Sequence, residues 1–427
     1  MAAYDSYKDS GVKWLGKVPR HWEILPGKAV FSENKVKNDN NTEKFVLSLS
    51  YGRITPKKDL TEGLVPENYS AYQIVEPGYI IIRCTDLQND KVSLRTGFVK
   101  NHGIISGAYL GLKTKSCFLS QYMHLLLHVW DITKELYRYG SGLRQSLSWN
   151  DIKYLNIPIP PREEQEAIVS YLDNVTAKID EAIEAQQKMI DALNERKQII
   201  ITRAVTKGLN PDAPLRDSGI DWLGQIPAHW EIVRASFVFP CIGSGSTPSS
   251  GNEKYYSLSP GYPWIQTGDL NDNILNTASK YITEKAMKDV RLYVYPKGSI
   301  IVAMYGATIG KTSLVNFATT VNQACCVLPP NKKCLSQFAL YYFQASKSIL
   351  LQSANGGGQP NINQQLIRRH KILIPPFNEQ SEICEYINRQ TKALNKSIIN
   401  CEQMISLLQE RKQIIINEVV TGKKKVI

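Results

Sequence analysis

Four short stretches carry residue types and spacings that could do chemistry, and each lacks a part that its chemistry needs. Gly306-Ala307-Thr308-Ile309-Gly310-Lys311-Thr312 is built like a phosphate-cradling loop, but that loop needs four residues between its glycines and has three here. His124 and His128 stand four apart, as two zinc ligands on one helix would. The residues between them are Leu125-Leu126-Leu127, however, with no Glu to act as base, so the triplet assigns both histidines to a core. Gly243-Ser244-Gly245 lacks the third glycine of a dinucleotide fingerprint. Ile374-Pro375-Pro376-Phe377 has the outline of an adenine-methyltransferase signature, with Ile where a polar residue would hold the amino group. The eight cysteines contain no C-x-x-C pair, and no paired carboxylates occur in a nuclease-like setting. The sequence predicts no catalytic residue, no metal ligand set and no cofactor of its own.

The side chains that remain are suited to recognition. Arg pairs bidentately with guanine, Gln and Asn with adenine, and hydroxyl and amide groups hold phosphates. In residues 25–156 the candidates are Tyr51, Arg53, Lys57, Lys58, Arg83, Arg95, Arg144 and Gln145. In residues 233–371 they are Ser244, Ser246, Thr247, Gln266, Thr267, Asp269, Tyr305, Thr308, Lys311, Gln359, Asn361 and Asn363. A net charge of +12 favours a polyanionic partner, although charge alone does not name one.

These loops need a frame to hold them, and the frame is written twice. Asp9–Ile24 and Asp217–Ile232 match at 11 of 16 positions, each with two Trp residues, a Pro and a His-Trp-Glu end. Ile157–Gly208 recurs as Ile372–Lys423, displaced by 215 positions. Each copy enters through a Pro pair followed by carboxylates, as a helix N-terminus favours. Apolar residues then keep a 4-3 spacing over about five heptads, the seam of an antiparallel helix pair roughly 60 Å long. The expected fold is α+β. Its segments are a Trp segment (1–24), a first body (25–156), a spacer helix (157–208), a second Trp segment (209–232), a second body (233–371) and a second spacer helix (372–427). Two globular recognition domains are thus separated by two long helices with an internal pseudo-twofold repeat. His21 and His229 read as parts of a structural clasp beside Trp. Within the first body, strands are expected at 45–49, 78–83, 104–105 and 108–112, with a helix over 120–139. Gln187, Arg196, Lys197, Arg411 and Lys412 lie on the helix flanks, where helices of another protein could add to the pair.

Length bounds the chain at two or three domains. The polar start, the absence of an apolar run near 18 residues and the scattered cysteines predict a cytoplasmic protein without a membrane segment.

These features together resemble the specificity subunit of Type I restriction-modification systems, across essentially the whole chain. The motifs that carry the resemblance are Trp14-Leu15-Gly16 with Pro19 and His21-Trp22-Glu23, and their copy from Trp222 to Glu231. Pro263–Leu270, the Gly356–Asn363 loop, and Glu-Arg-Lys-Gln at 195–198 and 410–413 add to it. The resemblance implies a DNA-binding protein that reads a bipartite, asymmetric double-stranded site, one half per recognition domain. It also implies two modification subunits that methylate adenine with S-adenosylmethionine, and two restriction subunits that use ATP and Mg. Catalysis would then lie in those partners. Two other readings stay open on the residues alone. A self-sufficient methyltransferase or nuclease would need a cofactor or metal motif. A coiled-coil scaffold would bind protein and show no salt-sensitive affinity for duplex DNA.

Overall fold

Both repeated helical stretches fold as written. In the computed structural model Arg162–Lys207 is one helix of 46 residues and Phe377–Val420 one of 44. The structure describes residues 3–57, 68–87, 94–140, 145–257, 261–354 and 361–426. Lys58, Arg144, Gln359 and most of the Gly356–Asn363 loop lie outside these residues. The chain forms two compact units. Residues 1–186 and 403–427 make the first, and residues 187–402 make the second. Each long helix therefore gives one part of its length to each unit. On the first long helix Ile190 is buried while its neighbour Met189 is exposed.

In the first unit a four-stranded antiparallel sheet runs in the order Phe31–Glu33, Leu110–Thr114, Ile80–Ile82, Thr96–Phe98. The hairpin of Leu47–Ser50 and Arg53–Pro56 and the pair Gln73–Val75 with Gly103–Ile105 complete its β structure beyond the frame. The expected 120–139 helix ends at Ile132. Lys134 takes a left-handed conformation (φ 61°), and a separate 3₁₀ turn covers Glu135–Arg138. One core joins Trp22, Ile80, Tyr122 and Leu126 to Ile168 and Leu172 of one long helix and Ile416, Val419 and Val420 of the other.

The second unit has a five-stranded sheet in the order Gly243–Ser244, Cys325–Leu328, Ile300–Ala303, Thr312–Val315, Ile274–Leu275. The last pair is parallel. A further sheet of four short strands contains Tyr262–Ile265. Its core again takes residues from both long helices, here Ile201, Ala204 and Val205 with Ile383 and Ile387.

The frame is identical in register. Tyr7–Asp9 pairs with Lys17–Pro19 as Leu215–Asp217 pairs with Gln225–Pro227. Ile157 stands opposite Leu25 as Ile372 stands opposite Val233. Gly306–Thr312 is only a turn between strands Ile300–Ala303 and Thr312–Val315, with no helix behind it to present phosphate-binding amides. His124 and His128 are stacked in the first core, and burial lowers their pKa values to about 3 and about 4.

Candidate nucleic-acid interface

Two carboxylates organise the frame that carries the candidate loops. Glu164, in the first turn of its long helix, accepts hydrogen bonds from Trp22 Nε1 (3.1 Å) and pairs with His21 Nε2 (2.8 Å). Glu379 does the same for Trp230 Nε1 (3.1 Å) and His229 Nε2 (2.8 Å). The neighbouring glutamine turns the other way. Gln165 Nε2 donates to Pro160 O while its Oε1 accepts from the Leu119 N–H, at the start of the body helix Ser120–Ile132. Gln380 repeats this with Pro375 O and the Leu335 N–H, before the helix Ser336–Ala345. Each Glu-Gln pair so fixes a Trp segment on one side and a body on the other. The sequence carried a signal for these four residues, since each is repeated at the common offset of 215.

In the first body the candidates separate by burial. Tyr51 and Gly52 form the tip of the Leu47–Pro56 hairpin, with φ of 48° and 73°, and Tyr51 is 92% exposed. Arg53 is exposed beside it, with Nη2 3.7 Å from Asp180 Oδ2 on the long helix. Lys57 follows the hairpin and is half-buried, as is Arg83 after strand Ile80–Ile82. The expectation that Arg95 reads DNA is corrected. Its side chain is fully buried, donating to Tyr137 Oη (3.1 Å), Thr85 O (2.8 Å) and Asp86 O (3.0 Å). A guanidinium taken out of water needs such partners, and here it pins a loop from within. Gln145 likewise spends its amide on Tyr137 O (2.6 Å) and Tyr139 O (2.9 Å).

In the second body Thr247 and Gln266 are brought together on a cavity of about 500 Å³ also lined by Ser250, Tyr256, Trp264 and Lys280. Thr247 Oγ1 donates to Gln323 Oε1, and the Ser246 carbonyl accepts from Trp264 Nε1 (3.2 Å). Ser244 sits on the edge strand and its carbonyl accepts from Tyr295 Oη. A second group lies beside this one. Tyr305, Thr308 and Lys311 line the turn after Ala303, and Ile362 N donates to Met304 O, which sets Asn361 and Asn363 next to it. Three residues have local structural work. Asp269 accepts from the Gln266 N–H (2.8 Å) and closes the one-turn helix at Thr267. Asn363 caps its short helix through the Leu366 N–H (2.8 Å), and Tyr305 packs on the core. Gln323, Tyr256, Trp264 and Lys280 belong to this surface and were missed, because nothing in their local sequence marks residues on or beside short strands as cavity walls.

On the helix flanks the expected partner cations divide. Lys412 Nζ lies 2.6 and 2.7 Å from the two Asp180 oxygens, and half-buried Lys197 lines a cleft with Asp272. Burial lowers the Lys197 pKa, and Asp272 partly opposes that shift. Lys412 is thus engaged inside its own unit, and Lys197 is half-buried in its own. Arg196, Arg411 and Gln187 are exposed, near exposed Met189 and Ile199 on one helix and Met404, Leu407 and Ile414 on the other.

The family model of the Type I restriction modification DNA specificity domain matches residues 73–190 and 227–401. The chain belongs to that family, and is a Type I specificity subunit. A relative assigned as specificity subunit of the MjaX type I restriction enzyme of Methanocaldococcus jannaschii is 24% identical over 440 residues, 98% of each chain. The specificity subunit of the EcoR124I/EcoR124II enzyme of Escherichia coli is 24% identical over 284 residues, 64% of each. A solved chain from work on complex assembly and conformational transition of the type I R-M system shares the fold. Its TM-score is 0.66 at 18% identity, over 94% of this specificity subunit and 98% of that chain. Among the described residues no helix is long and apolar enough to cross a membrane.

Proposed function

We propose that this specificity subunit reads a bipartite, asymmetric DNA site, with residues 25–156 and 233–371 as two target-recognition domains of different preference. The long helices act as an antiparallel coiled-coil spacer, related by a pseudo-twofold axis, that sets the half-site separation. The observation that carries this reading is the repetition of the Glu-His-Trp contacts to within the same distances under two bodies of different sheet topology. A frame copied so closely serves to hold its loads in a defined relation, while dissimilar loads serve dissimilar targets. Helices of 46 and 44 residues are about 65–70 Å long, enough to span half-sites one duplex turn, about 34–36 Å, apart.

The subunit works without a reactive centre of its own. Two modification subunits supply methyl transfer from S-adenosylmethionine, and two restriction subunits supply ATP- and Mg-dependent cleavage, in the cytoplasm. Arg196 and Arg411, with the exposed apolar residues beside them, fit a partner's helices. Charge reversal at both arginines is expected to weaken co-purification with the modification subunit, and full stoichiometric assembly would remove this assignment.

The deciding experiment deletes one heptad from each long helix and sequences the methylome of a host carrying the subunit with its modification partner. The spacer preference changes while both half-site sequences persist. An unchanged spacer would end the ruler reading, and methyl transfer by the purified subunit alone would end the division of labour.

A further inference from the structure

The Leu47–Pro56 hairpin has two unlike faces. Its register sets Leu47, Leu49 and Ile54 on one side and Ser48, Ser50, Arg53 and Thr55 on the other. The apolar side packs into a small core with Val75, Ile81, Val99 and Ile105. It lies so close on strand Thr96–Phe98 that a Cβ at Gly97 would stand 2.7 Å from Leu49 and 2.8 Å from Ile54. The tip is braced as well, since a Cβ at Gly52 would stand 3.0 Å from Leu94. A rigid stem therefore presents three hydroxyls and a guanidinium outward.

Two consecutive left-handed residues make the two-residue turn that suits a twisted hairpin, and Asn or Asp usually fills the first position. Here it is Tyr51, a residue for which positive φ is costly. Among the described residues the next most exposed large apolar side chain, Phe237, reaches 70%, against 92% for Tyr51. Neither folding nor solubility asks for an aromatic ring there, so its use lies in what it meets.

We propose, resting on the DNA-recognition reading above, that this hairpin is the β-ribbon with which the first body reads the major groove, with Tyr51 at the base edges and Arg53 exchanging Asp180 for the duplex. The major groove, about 12 Å wide, admits a two-stranded ribbon with strands roughly 4.8 Å apart. The Ser and Thr hydroxyls suit either base type, and the Tyr51 ring suits a thymine methyl or an unstacked base face. Arg53 can leave Asp180 readily, because the pair is long and exposed. Asp180 is not stranded when it goes, since Lys412 holds both its oxygens. The carboxylate that parks Arg53 then shows the phosphates little net charge.

The test uses the full chain with its modification partner, once the wild-type methylome has given the target. Tyr51→Ala and Arg53→Ala should each weaken binding to that duplex roughly 5- to 150-fold, the loss of one base contact. Methylation should lose sequence preference in one half-site only. Asp180→Asn should tighten binding two- to five-fold in wild type and leave the Arg53→Ala background unchanged. Wild-type affinity and pattern in both tip variants, or equal relaxation of both half-sites, overturns the hairpin's role. Equal effects of Asp180→Asn in the two backgrounds overturn the exchange. If the wild-type complex shows no sequence preference at all, the broader DNA reading fails instead, an outcome distinct from either.

Discussion

The two ends of the frame make the same contacts with different degrees of enclosure. Glu164 accepts from Trp22, His21 and also Tyr4 Oη, and its side chain is 7% exposed. Among the described residues Glu379 has only Trp230 and His229, and it is 23% exposed. The lysines differ more. Lys412 meets Asp180 on a helix, but the residue 215 positions beyond Asp180 is Asn395, and Lys197 instead lines a cleft that Asp272 of its body also lines. Duplication therefore kept the contacts that dock a Trp and let the surrounding charges drift. A buried indole with a bonded N–H tolerates little change, whereas a partly exposed ion pair contributes under about 1 kcal/mol and can be rebuilt elsewhere.

The sameness is tested by the largest effects. Trp22→Ala and Trp230→Ala should each destabilise their own unit by about 3–5 kcal/mol, measured by hydrogen exchange resolved along the chain. A gap between them above about 2 kcal/mol would break the equivalence. Glu164→Ala should cost about 3 kcal/mol and Glu379→Ala about 2, because the first strands three donors and the second two. Tyr4→Phe removes most of that gap.

Acid sharpens the comparison next. The first unit half-buries His124 and His128, with pKa values lowered by desolvation to about 3 and about 4, and the second half-buries His370, lowered to about 4. A histidine held neutral in the fold binds its proton only on unfolding. Its contribution is complete above pH 6.5 and is lost as pH falls toward those lowered values, by up to about 1.4 kcal/mol per pH unit for each histidine. The buried Asp131 carboxyl, raised by desolvation, opposes this in the first unit. The clean readout is therefore His124→Phe, which should remove about half of the histidine slope of the first unit between pH 6.5 and 5, His128 keeping the rest, and leave the second unit's slope alone. The smallest effect is expected at the lysines. Lys412→Met should cost under about 1 kcal/mol and Lys197→Met about half that or less, by the same exchange measurement.

Repetition made most of the frame legible in the sequence. Proline pairs, 4-3 spacing and the duplicated His-Trp-Glu gave both helices and the clasp, because each is a local signal read twice. Tyr51 and Arg53 were visible as loop residues after the strand expected at 45–49, but the returning strand Arg53–Pro56 that makes them a hairpin tip was not. What stayed hidden depends on distant partners. Arg95 looked like any other loop arginine until Tyr137, Thr85 and Asp86 closed on it. Lys197 and Lys412 looked like Arg196 and Arg411, and a rotation of one position on the helix turned them inward. The early end of the 120–139 helix was set by the backbone at Lys134, where a lysine gives no sign of a left-handed turn.

The first unit is discontinuous, with Ile416, Val419 and Val420 completing a core begun by Trp22 and Ile80. During synthesis the roughly 200 intervening residues emerge before that core can close, a delay of about 10–40 s at ordinary elongation rates of about 5–20 residues per second. Throughout that interval the nascent first body keeps an apolar flank open to the cell's chaperones. The second unit, continuous in the chain, can be finished first.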